Sequence, residues 1–215
     1  KRDSLLLAAG IACTAFSVYQ LMALGLASFY TLFSIGMTLI LTCLSNSLSK
    51  KRLFNSWPIL HLSVFCLLLL AVSVGIDHIG MRVGYWEYPH YDSSDQFRKY
   101  LFEWGVALFY HFAALLVGRE LFRKAGFSNK WSFVLSLLIV VTIAGFITES
   151  LNLVVYSWRI TRMPVTNYRI GKYFLVFQTI GYWLMALIPF GIYRFVEYLV
   201  EKSRVENRES SASPW

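Results

Sequence analysis

From Leu5 to Ser45 the chain runs 41 residues without a charged side chain. One membrane-crossing helix needs about 20 apolar residues, so this run predicts two, joined by a tight turn near Gly25–Ser28. Backbone N–H and C=O groups in hydrocarbon find partners only within their own segment, so long uncharged runs read as helices. Four more apolar runs follow, at about Trp57–Ile76, Leu101–Gly118, Trp131–Val155 and Phe174–Tyr193. The pattern predicts an all-α, polytopic membrane protein with six transmembrane helices, forming one domain over 1–200. From Glu201 the chain turns polar, which predicts a disordered cytoplasmic tail over 201–215.

The polar stretches between the runs set an orientation. Six spans place both termini on one side. The termini and the loops after spans two and four hold 13 of the 20 Lys and Arg residues, and the opposite side holds 7. The excess predicts both termini in the cytoplasm (N-in, C-in) and an integral protein of the cell (inner) membrane. The two outer loops, about Asp77–Tyr100 and Tyr156–Tyr173, are longer than simple turns. The first is rich in aromatics (Tyr85, Trp86, Tyr88, Tyr91, Phe97 and Tyr100). It reads either as an aromatic belt at headgroup depth or as a partly ordered cap over a cavity.

Composition narrows the class. The chain is 57% hydrophobic and 15% charged, against about 45–50% and 25% for soluble domains. A disordered chain, a nucleic-acid-binding tail and an ordinary soluble enzyme are excluded. The net charge of +8 therefore reads as topology, and no nucleic-acid partner is expected. Cys13, Cys43 and Cys66 lie in apolar runs without a C-x-x-C pair, which suits packing residues better than a disulfide framework or a zinc site.

A shift of 72 residues lays Asp77 on Glu149, Trp86 on Trp158, Phe102 on Phe174 and Tyr110 on Tyr182. Each half then reads helix, acidic outer end, loop with Trp, helix. This suggests a direct helix-pair repeat, an arrangement that builds a central site.

Ionisable groups inside spans are costly and mark candidate sites. Asp77 closes span three, Glu103 opens span four, and Glu149 lies about two turns before the outer end of span five. Asn152 shares the face of Glu149 at i, i+3. Each has a plainer reading: a headgroup-level cap for Asp77, an outward-reaching carboxylate for Glu103, an ion pair with Arg159 or Arg162 for Glu149. If the helices bring them together, a carboxylic acid held protonated in a water-poor chamber can give its proton to an apolar substrate. Trp86, Trp104, Trp158 and Tyr110 would then face a developing cation with their π clouds. His111 and Asn152 complete the expected substrate-binding set, although His111 also reads as a residue bonded to a neighbouring helix.

Metal chemistry finds little support in the four histidines, His61, His78, His90 and His111, which form no cluster. No G-x-x-x-x-G-K-[ST], G-x-S-x-G or H-E-x-x-H occurs. Neither a metal nor a cofactor is expected. Arg159, Arg162, Arg169 and Lys172 form a basic stretch without an acid, which reads as a grip on a lipid phosphate or an acidic partner, or as a solvated loop.

The stretch Asp77-His-Ile-Gly-Met-Arg-Val-Gly-Tyr-Trp-Glu-Tyr-Pro89 resembles the D…G-x-W-x-Y-P segment of the small membrane-bound lycopene cyclases of carotenoid biosynthesis. In that family a Trp-x-Tyr loop leads into a helix whose start carries a P-x-E-E pair. Here Tyr-Leu-Phe-Glu-Trp stands at 100–104, with Glu103 as the single acid. The resemblance implies cofactor-independent, acid-catalysed ring closure of a long polyene, with Glu103 and Asp77 as acids.

Three functions follow as expectations. The first is an integral membrane enzyme acting on an apolar isoprenoid-like or lipid substrate by carboxylate acid/base chemistry. The second is a non-catalytic membrane subunit or scaffold that binds a membrane protein partner or a second copy. The third is a small proton- or cation-coupled transporter. An apolar chamber ending at the acids favours the first, a solid bundle with an outer groove the second, and a polar path through the bundle the third.

Overall fold

The computed structural model describes residues 2–50, 53–54, 57–90, 105–162 and 167–212. Six long helices dominate it: α1 (Arg2–Leu24), α2 (Phe29–Ser49), α3 (Ile59–Val83), α4 (Gly105–Lys124), α5 (Asn129–Val155) and α6 (Tyr182–Ala212). Each carries a window long and apolar enough to cross a membrane. The outward faces of α1 and α3 expose Ile11, Phe16, Met22, Ile59, Leu60 and Leu67. Such faces are at home in lipid, and the six helices mark an integral membrane protein.

Helix α4 is the centre. Its apolar window is 61% buried, against 17–33% for the other five. Helices α2, α3, α5 and α6 all pack on it. Ala113, Ala114 and Gly118 are buried along it, and such small side chains let neighbouring backbones approach. A polar bond adds to this packing: Ser136 Oγ of α5 donates to the Leu115 carbonyl at 2.7 Å. The α1–α2 hairpin turns where the uncharged run predicts, with α1 ending at Leu24 and α2 starting at Phe29.

Several boundaries differ from the hydropathy pattern, among them the end of α4, which runs to Lys124 rather than Gly118. Helix α3 does not stop at Ile76 but runs to Val83, so Asp77 lies inside it and is buried. A carboxyl reads as a helix end only where nothing supplies it with donors, and here the chain supplies them itself. Gly84 then closes α3 with φ 78°, and the Tyr85 N–H bonds back to the Gly80 carbonyl at 2.8 Å. This left-handed cap is a natural place for glycine. Helix α6 carries on through Ala212, where the polar composition after Glu201 predicts disorder.

Short strands finish one end of the bundle. β1 (Trp86–Glu87) follows α3 and pairs antiparallel with β2 (Arg159–Ile160), which follows α5. Trp86 stands opposite Ile160, and Glu87 opposite Arg159. β3 (Arg169–Ile170) and β4 (Tyr173–Phe174) form a hairpin through Gly171, whose φ is 60°. A π-helical turn, Phe177–Gly181, leads into α6, and a second, Ser136–Val141, interrupts α5. Such wide turns recur at functional sites.

Candidate functional site

Asp77 is fully buried. Its Oδ1 accepts from the Trp86 indole Nε1 at 2.6 Å and from the Tyr88 hydroxyl at 2.8 Å. The chain reverses at Gly84, so the strand after α3 folds back and lays its aromatics against the helix that carries the acid. Gly80, nearly one turn beyond Asp77, makes the seat: a Cβ there would run into the six-membered ring of the Trp86 indole.

Glu149 is 5% exposed. Its Oε1 accepts from Asn152 Nδ2 at 3.3 Å, and its Oε2 from Trp158 Nε1 at 3.2 Å and the Tyr182 hydroxyl at 3.0 Å. Asn152 also holds the residue that leads into β2, donating to the Trp158 carbonyl at 2.9 Å and accepting from the Trp158 N–H at 3.2 Å. Gly145, one turn before Glu149, is the seat for Tyr182, whose ring lies where a Cβ would stand. The ion-pair reading of Glu149 therefore does not hold. Arg159 pairs instead with Glu87 at 3.3 Å, and Arg162 donates to the Val83 carbonyl. A buried carboxyl can be served by neutral donors as well as by a cation.

The two acids are fastened by the same local device. Seven positions after each acid the helix ends in a left-handed residue, Gly84 or Tyr156 (φ 51°). Two positions later a tryptophan turns its indole N–H back to the acid.

The donors of both acids line one small space. Tyr88, from the Asp77 clamp, meets Trp158 and Tyr182, from the Glu149 clamp, with Tyr30, Phe177 and Met185 around a void of about 20 Å³. That is room for roughly one water. Beside it, an apolar cavity of about 270 Å³ is lined by Ile76, Trp86, Leu108, Phe177, Leu184 and Met185 among others. Phe177 and Met185 border both. On its other flank Glu149 lines a polar cavity of about 580 Å³ with Glu87, Arg159, Arg169 and Lys172. The basic stretch over 159–172 thus contributes three of its cations to the wall of a cavity that reaches the buried acid.

Tyr110 and Tyr182 flank His111, with ring centroids 4.6 and 4.9 Å from its own. Tyr110 donates to the Ala144 carbonyl at 3.4 Å rather than to an acid. His111 Nδ1 donates to the Ala107 carbonyl of its own helix at 2.8 Å, not to a neighbouring one. Its Nε2 and the side-chain amide of Gln178 are buried without a hydrogen bond among the described residues, which costs about 1–3 kcal/mol for each group and marks them as candidate contacts for a bound molecule.

Of the site residues expected from sequence, Asp77 with Trp86, and Glu149 with Asn152 and Trp158, form the two clamps. Tyr110 and His111 stand beside Tyr182, and Glu103 and Trp104 lie outside the described residues. Sequence reasoning missed Tyr88 and Tyr182 as acid donors and Gly80 and Gly145 as seats. The 72-residue shift pairs Tyr182 with Tyr110, and that is the usable signal in the sequence. Compared with family models, curated proteins and solved structures, the chain matches none.

Proposed function

We propose that the chain is an integral membrane enzyme acting on an apolar, isoprenoid-like or lipid substrate by carboxylate acid/base chemistry of the cyclase kind. The observation that carries this reading is the pair of buried carboxyls whose donors line one aromatic-walled space. The apolar cavity supports it. At about 270 Å³ it falls near the lower edge of ordinary ligand pockets, about 300–1,000 Å³. It takes one end of a long apolar chain while the rest stays in lipid.

The reaction is an isomerisation. One carboxylic acid gives its proton to a carbon–carbon double bond, and the π pair forms the new C–H bond. A second double bond attacks the cationic carbon and closes a ring. A carboxylate then takes a proton from the carbon beside the new cation, so no oxidant or reductant is needed. Trp86, Trp158, Tyr88 and Tyr182 supply π faces that favour the passing cation. In this reading α3–α4 and α5–α6 form a direct helix-pair repeat. Its support is the shared clamp and the β1–β2 register, in which Glu87 faces Arg159, its own counterpart 72 positions on. Both termini are placed in the cytoplasm of an inner-membrane protein, on the distribution of Lys and Arg.

The test is mass spectrometry of lipids that co-purify with the full chain, followed by incubation of the retained compound with wild-type protein and with Glu149→Gln. The expected result is an apolar isoprenoid-like molecule, converted by wild type to an isomer of equal mass and left unchanged by the variant. Recovery of bulk phospholipid alone, or full conversion by Glu149→Gln, overturns the reading. The small size of the void between the clamps favours a second reading, a non-catalytic subunit that binds a membrane partner. A stable stoichiometric protein partner together with no retained apolar compound would decide for it.

A further inference from the structure

At the end of the bundle opposite the two acids, α2, α4 and α6 part around a cavity of about 430 Å³. Three guanidinium groups line it, those of Arg119, Arg123 and Arg194, together with the carboxyls of Glu120 and Glu197. Two of the cations are already matched on their own helices. Arg123 pairs with Glu120 at 3.0 Å, and Arg194 pairs with Glu197, which also accepts from the Tyr193 hydroxyl at 3.2 Å. Arg119 is half-buried and, although its charge acts on Tyr193, it has no hydrogen bond or ion pair among the described residues. Three cations against two anions leave the cavity one positive charge in excess.

The depth of the cavity says what could supply the missing anion. The apolar run of α4 ends at Gly118 and Arg119 follows, so the guanidinium sits where hydrocarbon gives way to headgroups. Aromatics make the wall on the apolar side. The ring of Trp57 stacks on that of Tyr193 with centroids 5.1 Å apart, and Phe54 meets both edge-on. Such rings favour the membrane interface, and basic pockets between helix ends suit lipid phosphates. A planar guanidinium can bind two phosphate oxygens at once.

We propose that this cavity binds the phosphate of an anionic phospholipid headgroup, with Arg119 as its main contact. The test is native mass spectrometry of the full chain in detergent, titrated separately with phosphatidylglycerol, phosphatidylcholine and inorganic phosphate. Phosphatidylglycerol is expected to bind preferentially, as one retained copy. Arg119→Gln should weaken it on the order of tenfold, the loss of one charge-assisted bond. Arg119→Lys, which keeps the charge and loses the two-pronged contact, should fall between wild type and Arg119→Gln, and Lys130→Gln, which removes an exposed charge from the start of α5, should leave the affinity unchanged. Equal binding of phosphatidylcholine, or an equal loss in Lys130→Gln, overturns the proposal. Displacement of the lipid by an equal concentration of inorganic phosphate assigns the cavity to free phosphate and overturns the lipid assignment. If Arg119→Gln does not fold, Arg119→Lys and the headgroup selectivity of the wild type decide.

Discussion

Asp77 and Glu149 are held by the same spacing, yet their surroundings differ. The indole that serves Asp77 forms part of an apolar wall, shared with Ile76 and Leu184. The acid served by Trp158 borders a polar cavity with Arg159, Arg169 and Lys172. A repeated local device thus meets lipid-like surroundings in one half and charged surroundings in the other. The spacing fixes how each carboxyl is gripped, and the neighbouring elements fix what can reach it. In the proposed reaction the first suits an apolar chain arriving from the bilayer, and the second suits proton exchange with water.

The largest test of that contrast removes the acids. Asp77→Asn and Glu149→Gln should each slow the proposed conversion by about 10²- to 10⁴-fold, with the far-UV circular dichroism of the helices unchanged. If Glu149→Gln slows it and Asp77→Asn does not, the Asp77 clamp is structural and the halves have diverged in role. Next come the seats. Gly80→Ala should push Trp86 off α3 and Gly145→Ala should push Tyr182 off α5, each costing about 1–3 kcal/mol by overpacking. Thermal unfolding in detergent measures this. Gly75→Ala, where a Cβ meets nothing, should instead raise the midpoint, because alanine favours helix over glycine.

A smaller effect separates the donors. Trp158→Phe should cost about 1 kcal/mol, since Glu149 keeps Asn152 and Tyr182 as donors, and equilibrium unfolding would register it. The smallest concerns the strands between the clamps. Glu87→Gln breaks the ion pair with Arg159, whose side chains are 50% and 58% exposed. The cost should be about 0–1 kcal/mol and should vanish in high salt. A larger, salt-independent loss would mean that the β1–β2 contact holds the two halves together more firmly than its exposure implies.

Hydropathy made the six helices and the turn at 25–28 legible, because it separates segments that tolerate lipid from those that do not. It ended α3 too early, because Asp77 scores as polar whatever its partners. The tryptophans emerged from the 72-residue shift, since acid and indole keep one spacing in both halves. Tyr88 could not be recognised as a donor from sequence, because its counterpart across that shift is Ile160, which has no hydroxyl. The glycine seats were silent for a related reason. Gly80 and Gly145 matter through rings packed on them from other elements, and nothing local distinguishes them from Gly75. The preference of Arg159 for Glu87 over Glu149 depends on the register of β1 on β2, which only the assembled fold defines.

A polar link ties the N-terminal hairpin to this site, beside the packing of Tyr30 on Trp158. Ser157 Oγ donates to the Ala27 carbonyl in the turn between α1 and α2, and Ser157 is the residue next to Trp158. The backbone that aims the indole at Glu149 is therefore moored at two points, to Asn152 on its own helix and to the turn of a hairpin more than a hundred residues earlier in the chain.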